Sequence, residues 1–326
     1  MSELKKKILH AVNNDLEAIE VALVENLTPH VDLVREVAGH ILFSGGKRLR
    51  PLLMVIAARL CDYRGDYDKT FSTIFEYLHA ATLLHDDLVD GATTRRGRGV
   101  ANTVYGSSAA VLTGDFLLAR GLSIAAATGI PEVISVIAGI TEDMSQGEIF
   151  QLARKGAPDL TELEYMKIIR CKTAVLFQGA CRISALLAEA APEKQEALSG
   201  YGHHLGMAFQ MADDLLDYTL DSRKLGKTVG ADLREGKLTL PVIHALRHAN
   251  TTDRKAILES IENPDLTDPA FKNVIRILTE SGGIEYTREN AQRHVGSAKD
   301  SLEPFPDSEN KRILLDLADY ALTRST

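Results

Sequence analysis

Apolar residues recur at i, i+3 and i+4 through 51–61, 71–90, 109–128, 131–154, 161–190 and 193–218, with no sustained alternation of apolar and polar positions. A period near 3.6 puts one apolar stripe on each segment and predicts a helix in every one of them. Pro51, Pro131, Pro158, Pro192 and Pro241 fall at predicted helix starts or between helices, where a missing N–H is tolerated. No low-complexity stretch or linker divides the chain. With 326 residues, 45% of them hydrophobic, the expectation is an all-α protein, either one large helical domain or a bundle with a C-terminal extension.

Two acidic clusters interrupt apolar runs: Asp86-Asp87-Leu88-Val89-Asp90 and Asp213-Asp214-Leu215-Leu216-Asp217. Three carboxylates within five residues repel one another, and burial on an apolar helix adds to the cost. The first and last Asp of each cluster are four apart and lie one turn above each other on one face. Such a pair can share a cation. Carboxylate is a hard ligand, and neither cluster has Cys or His at ligand spacing, so Mg²⁺ fits better than zinc. Mg²⁺ keeps several waters and completes its shell with substrate phosphates. Two such clusters therefore point to a diphosphate held by metals between two helices. A single acidic helix face could be merely solvated; the second copy in a similar apolar setting argues against that.

Cations lie where a diphosphate reader needs them. Ser44-Gly45-Gly46-Lys47-Arg48-Leu49-Arg50-Pro51 reads as a loop feeding a helix, whose backbone N–H groups, with Lys47 and Arg50, can receive phosphate oxygens. Past the first acidic cluster comes Thr93-Thr94-Arg95-Arg96-Gly97-Arg98-Gly99, where glycine ends the helix and Arg95 and Arg96 project near the metal-binding end. Lys172-Thr173, Lys227 and Lys237 are further candidates. Gly226-Lys227-Thr228 lacks the upstream glycine and preceding strand of a nucleotide-binding P-loop.

Taken in order, GGKRLRP (45–51), HDDLVD (85–90) with RRGRG (95–99), GDFLLAR (114–120), Lys172-Thr173, FQMADDLLD (209–217) and LGKTVGADLREGK (225–237) resemble the trans-polyprenyl diphosphate synthases. The likeness is closest to the long-chain, octaprenyl diphosphate synthase type, and runs from about residue 40 to 245, leaving 246–326 as a helical C-terminal extension of one synthase domain. It implies a single helical bundle of the isoprenoid synthase type with a central active-site cavity. It further implies that Asp86, Asp87, Asp90, Asp213, Asp214 and Asp217 bind Mg²⁺, three ions per active site. Lys47, Arg50, His79 and Arg96 would bind isopentenyl diphosphate. Arg95, Lys172, Thr173, Gln210, Lys227 and Lys237 would surround an allylic diphosphate such as farnesyl or geranylgeranyl diphosphate. The family is usually homodimeric.

The chemistry accounts for this grouping. Breaking the allylic C–O bond leaves a carbocation, and diphosphate departs when Mg²⁺, Arg and Lys stabilise its growing charge. Unit charges about 4 Å apart interact by roughly 1 kcal/mol in water and about 4 at an effective dielectric of 20, so excluding water matters. Lys172-Thr173, Gln210 and the ring of Phe209 are candidates to stabilise the cation. Isopentenyl diphosphate then attacks and a proton leaves; no side-chain base stands out, and the resemblance makes the departing diphosphate the acceptor. Ala81 and Thr82, five and four residues before Asp86, are small, which suits a tunnel for a long product running down the helix toward Phe71, Phe75, Ile137 and Ile140. The expected product is the octaprenyl-type side chain of a respiratory quinone. A shorter-chain synthase and a non-catalytic subunit of a heteromeric synthase are the alternatives.

A net charge of −8 makes nucleic acid an unsuitable partner. No apolar run reaches the length of a membrane span, so stable insertion is not expected, and the first thirty residues carry acids where a signal peptide is apolar. Cys61, Cys171 and Cys181 form no CxxC, fitting a reducing, cytoplasmic setting. His85-Asp86 with His203-His204 would suit an HD-type phosphohydrolase, but that leaves the second acidic cluster and Arg95-Arg96 unexplained. His85 reads instead as hydrogen-bonded beside the acids, and His203-His204 as a surface pair.

Overall fold

The all-α expectation holds. The computed structural model describes residues 3–65, 67–95, 97–219, 230–263 and 267–323, and among these the one extended pairing is a two-residue ribbon, Thr94–Arg95 against Arg98–Gly99. The contacts divide the chain into two compact units. The first comprises Met1–Glu142, Leu176–Gly202 and Lys299–Leu317; the second comprises Asp143–Val175, His203–Ala298 and Ala318–Thr326.

In the first unit, α1 (Glu3–Glu25), α2 (Asp32–Leu42), α3 (Leu49–Leu60) and α4 (Tyr67–Val89) precede the ribbon, followed by α5 (Ala101–Tyr105), α6 (Ser107–Ala126) and the start of α7 (Pro131–Ala153). Every residue of α3 from Leu52 to Ala58 is buried, as a helix apolar all round must be. Phe71, Ile74, Phe75, Tyr77 and Leu78 of α4 are buried with it, each contributing roughly 1.5–3 kcal/mol of transfer free energy. The Tyr77 hydroxyl donates to the Leu23 carbonyl at 2.7 Å, tying α4 to α1. α6 lies against α4, so closely that a Cβ at Gly114 would sit 2.3 Å from His85 Nε2.

α6 corrects one expectation. An 18-residue window of this 20-residue helix has a mean hydropathy of 1.4, so the helix is long and apolar enough by length and composition for a membrane crossing. Asp115 and Arg120 break the run in sequence without lowering the average below that level. Only 39% of that stretch is buried.

In the second unit, α8 (Glu162–Ile169) starts at a capping box, Thr161 accepting from the Glu164 N–H and Glu164 from the Thr161 N–H. A π-helical turn, Arg170–Ala174, leads into α9 (Val175–Leu187), which belongs to the first unit from Leu176 onward, so the predicted 161–190 helix is three pieces. α10 (Pro192–Thr219), in the second unit from His203 onward, carries the second acidic cluster, and α11 (Ala231–Arg234), α12 (Leu240–His248), α13 (Thr251–Glu262), α14 (Asp268–Glu280) and α15 (Gly283–Asp300) follow; α16 (Glu309–Thr323) belongs to the first unit up to Leu317. The core here joins Tyr165, Ile168, Met211, Leu215, Tyr218, Ile243 and Phe271.

Candidate active site

In the first unit α4 ends on the first acidic cluster, where the Asp90 N–H donates to the Asp86 carbonyl at 2.8 Å and Gly91 turns the chain away at φ 64°. Neighbours on a helix point about 100° apart, so the cluster divides. Asp86 and Asp90 stay half-exposed. Asp87, 3% exposed, accepts from Arg95 Nη2 at 2.7 Å and from Nε at 3.0 Å. The ribbon thus returns Arg95 onto the acidic helix. Arg96 lies outside the described residues. His85 Nε2 lies 3.2 Å from the Val111 carbonyl and 3.5 Å from Asp115 Oδ1, on the side facing α6.

The basic loop runs into α3. Lys47 is exposed and Arg50 half-buried, its guanidinium 5.0 Å from the centroid of the Phe177 ring. Between them Arg48 turns inward. His79 is half-buried on α4. Ala81 is wholly buried, seven residues after Ile74, which faces Gly121 of α6; Thr82 is half-buried, seven after Phe75. Phe75 and Ile140 meet where Gly179 leaves space, as a Cβ there would lie 3.3 Å from one and 2.2 Å from the other.

In the second unit the π-helical turn organises the site. Glycine permits a close approach on both sides: a Cβ at Gly147 would be 2.4 Å from Cys171 Cβ, and one at Gly206 would be 2.5 Å from Ala174 Cα. Consecutive residues then face different helices. Lys172 Nζ donates to Glu148 Oε2 at 2.7 Å and to Gln151 Oε1 at 2.9 Å on α7. Thr173 donates to Gln210 Oε1 at 2.6 Å on α10, and Gln210 donates to Asp214 Oδ1 at 2.8 Å. A single inserted residue in a helical ladder is a common device at functional sites.

The second acidic cluster divides as the first does. Asp213 is exposed. Asp214 is buried and accepts from the Tyr165 hydroxyl at 2.6 Å. Burial pushes its carboxyl up to about 7, opposed by the hydrogen bonds from Tyr165 and Gln210 and reinforced by the charges of Asp213 and Asp217. Asp217 accepts from the backbone N–H groups of Gly230, Ala231 and Asp232 at 3.1, 3.2 and 3.0 Å, which fixes the start of α11. Asp232 is held well above the usual carboxylate range by burial and by the charges of Asp214 and Asp217. A cavity of about 100 Å³ is lined by Tyr165, Lys172, Gln210, Asp214, Asp232 and Lys237 among others. Lys237 Nζ bonds Glu235 at 2.8 Å. Lys227 lies outside the described residues.

Sequence reasoning missed Tyr165, Glu148, Gln151 and Asp232. Asp232 sits inside the 225–237 motif, whereas Glu148 and Gln151 lie in a polar stretch of α7 with Glu142, Asp143, Ser145 and Gln146. The first signal was visible; the contacts of Glu148, Gln151 and Tyr165 were not. His203 and His204 are no surface pair: both are half-buried, and His204 Nδ1 lies 2.9 Å from Nδ1 of His294.

The donor chemistry suits hard divalent cations. Asp86 and Asp90 are partly exposed, with one Asp90 carboxylate oxygen buried, and Asp213 is exposed; Asp87, Asp214 and Asp217 accept hydrogen bonds from protein donors. Among the described residues no three His, Cys, Asp or Glu side chains enclose a metal on their own. A site of two carboxylates and several waters is an ordinary one for Mg²⁺.

A family model for polyprenyl synthetases matches residues 31–278. The chain belongs to the polyprenyl synthetase family. It is 38% identical over 322 residues to the octaprenyl diphosphate synthase of Escherichia coli (strain K12), covering 98% of each chain. It is 37% identical over 323 residues to the all-trans-nonaprenyl-diphosphate synthase (geranyl-diphosphate specific) of Rhodobacter capsulatus, covering 99% of this chain and 98% of that one. Among solved structures, a decaprenyl diphosphate synthase from Rhodobacter capsulatus superposes with a TM-score of 0.92 at 37% identity, covering 98% and 99% of the two chains. A polyprenyl synthase from Caulobacter crescentus CB15, solved with calcium and isoprenyl diphosphate, gives 0.92 at 34%, covering 98% of each. The chain is therefore a polyprenyl diphosphate synthase, a prenyltransferase.

Proposed function

We propose that the chain is a long-chain all-trans synthase that adds isopentenyl diphosphate head-to-tail to an allylic diphosphate, farnesyl or geranylgeranyl diphosphate, giving an octaprenyl-type product for a respiratory quinone. The observation that carries the length is on α4: both residues in the turn before the acidic cluster, Ala81 and Thr82, are small. The octa- and nonaprenyl synthases among the relatives support the same reading. Asp86, Asp90 and Asp213 would hold Mg²⁺, three ions in all, with Asp87, Asp214 and Asp217 keeping the acidic segments in shape. The bound ions supply charge that stabilises the departing diphosphate.

Lys47, Arg50 and His79, with Arg96, bind isopentenyl diphosphate. Lys172, Thr173, Gln210, Lys227 and Lys237 surround the allylic substrate, and Arg95 serves it while paired with Asp87. Lys172 sits at a depth set by Glu148 and Gln151, and the Thr173–Gln210–Asp214 chain orients polar edges toward developing positive charge. A cytoplasmic homodimer is the expected form, without stable membrane insertion. The partly covered apolar surface of α6 supports association with a second copy.

Purified protein given Mg²⁺, isopentenyl diphosphate and farnesyl diphosphate should make a long all-trans product, measured by chromatography after dephosphorylation. Farnesyl- or geranylgeranyl-length products would replace this reading with a short-chain synthase. Absence of condensation would point to a subunit that needs a partner.

A further inference from the structure

In the loop Gly45-Gly46-Lys47-Arg48, the outward cation and the inward one have different tasks. We propose that Arg48 is a positioning residue that locks the diphosphate-binding loop to α4; this rests on the reading of Lys47 and Arg50 as ligands of isopentenyl diphosphate. Its side chain is 5% exposed. Nη1 donates to Glu76 Oε1 on α4 at 2.7 Å, Nε to Glu20 Oε1 on α1 at 2.6 Å, and Nη2 to the Leu42 carbonyl at the end of α2 at 2.6 Å. One planar fork thus fastens the loop to three helices, a task the single-point ammonium of lysine does not perform.

The backbone agrees with a special role. Arg48 has φ 47° and ψ 34°, the left-handed region that side-chain-bearing residues seldom adopt. This conformation turns the Arg48 side chain inward while Lys47 stays exposed. Gly46 leaves the necessary room: a Cβ there would lie 3.2 Å from Arg48 Nη1 and 3.8 Å from Glu76 Oε1. Glu76 is three residues before His79 and ten before Asp86 on the same helix. The pair therefore fixes the loop's cations relative to the helix that carries His79 and the first acidic cluster. Buried ion pairs add little net stability over apolar packing, and their best-attested use is register.

The test compares Arg48→Lys and Gly46→Ala with Lys47→Ala. In Arg48→Lys the charge remains and the fork is lost; in Gly46→Ala the charges are untouched and the guanidinium must move. Both variants should raise KM for isopentenyl diphosphate about tenfold, with kcat and KM for the allylic diphosphate changed less than about twofold. Circular dichroism should report an unchanged helical content. A lowered melting temperature with both KM values unchanged would reduce Arg48 to a packing residue and overturn the proposal. An equal rise in both KM values would overturn it as well, since the lock would not be specific to this loop. Lys47→Ala separates the two claims. If it raises KM for isopentenyl diphosphate while the other two variants do not, positioning by Arg48 falls and the ligand reading stands. If Lys47→Ala also leaves that KM unchanged, the ligand reading itself is wrong.

Discussion

Replacing Ala81 or Thr82 with Phe should shorten the product without stopping turnover. At 1.5 Å per residue, Ala81 lies about 7.5 Å and Thr82 about 6 Å down α4 from Asp86. An isoprene unit adds four main-chain carbons, about 4.5 Å, somewhat more than the 3.3–3.6 Å of an extended residue. A ring at Ala81 should therefore stop the tail about two units below Asp86 and a ring at Thr82 about one unit below it, against roughly six for the full run from Asp86 to Asp68. The two sites differ in tolerance. Ala81 has no exposed surface, so a ring there overpacks the core at a cost of about 1–3 kcal/mol, seen as a few degrees in melting temperature. Thr82 is half-buried and should accept a ring at smaller cost. The assay is chromatography of dephosphorylated products at saturating isopentenyl diphosphate, with melting temperature measured alongside. An unchanged product length in both variants would mean the tail does not pass this turn of α4, whatever happens to stability.

Removing the Arg95 side chain leaves the Asp87 carboxylate, 3% exposed, without its partner; Arg95→Ala should cost about 3–5 kcal/mol in urea unfolding, and a loss under 1 would show the pair to be solvated. Asp87→Ala should lose stability on the same scale, whereas Asp86→Ala should unfold like the parent and lose Mg²⁺-dependent turnover; matching stability losses would contradict the division of the cluster. The three-histidine contact makes stability depend on pH. Burial, then the neighbouring His204, His203 and Arg293, lower His294 from 6.5 to about 4. Between those values the unfolded chain binds a proton that the folded chain refuses. Stability should therefore fall as pH drops from about 6.5 toward 4, by no more than about 3 kcal/mol for His294. Urea midpoints for the parent and His294→Gln across that range check it; parallel curves would refute it.

The helices were legible because each segment must bury one stripe, and that stripe is written every three or four residues. Five of the six predicted segments match single helices to within a few residues. The sixth, 161–190, hides the π-helical turn, since one extra residue in the hydrogen-bond ladder scarcely disturbs the apolar period. Of the candidate site, the two Asp clusters were readable from spacing, while the roles expected of Lys172 and Thr173 came from the family resemblance. The partners of these residues were not readable. Tyr165 reaches Asp214 from 49 positions away and His294 reaches His204 from 90, and no local pattern encodes such pairs. Arg48 misleads in another way: a cation in a Gly-rich loop reads as surface, and its inward course follows from Glu20 and Glu76, which are 28 residues distant on either side.

The same division in both Asp clusters has a geometric origin. Adjacent residues on a helix point about 100° apart, so two neighbouring carboxylates that straddle the edge of the packed face part, one outward and one inward. An inward carboxylate survives only with donors, because an unpaired buried charge costs several kcal/mol. Arg95 supplies them to Asp87; Tyr165 and Gln210 supply them to Asp214. The outward member, Asp86 or Asp213, then stands on a rigid base at the helix surface. Metal affinity that relies on only one or two protein carboxylates per ion needs those oxygens preorganised. On the proposed reading, the second Asp of each cluster would serve by anchoring the helix beneath the first through its own hydrogen bonds, so a doubled acid would cost less than its charge suggests.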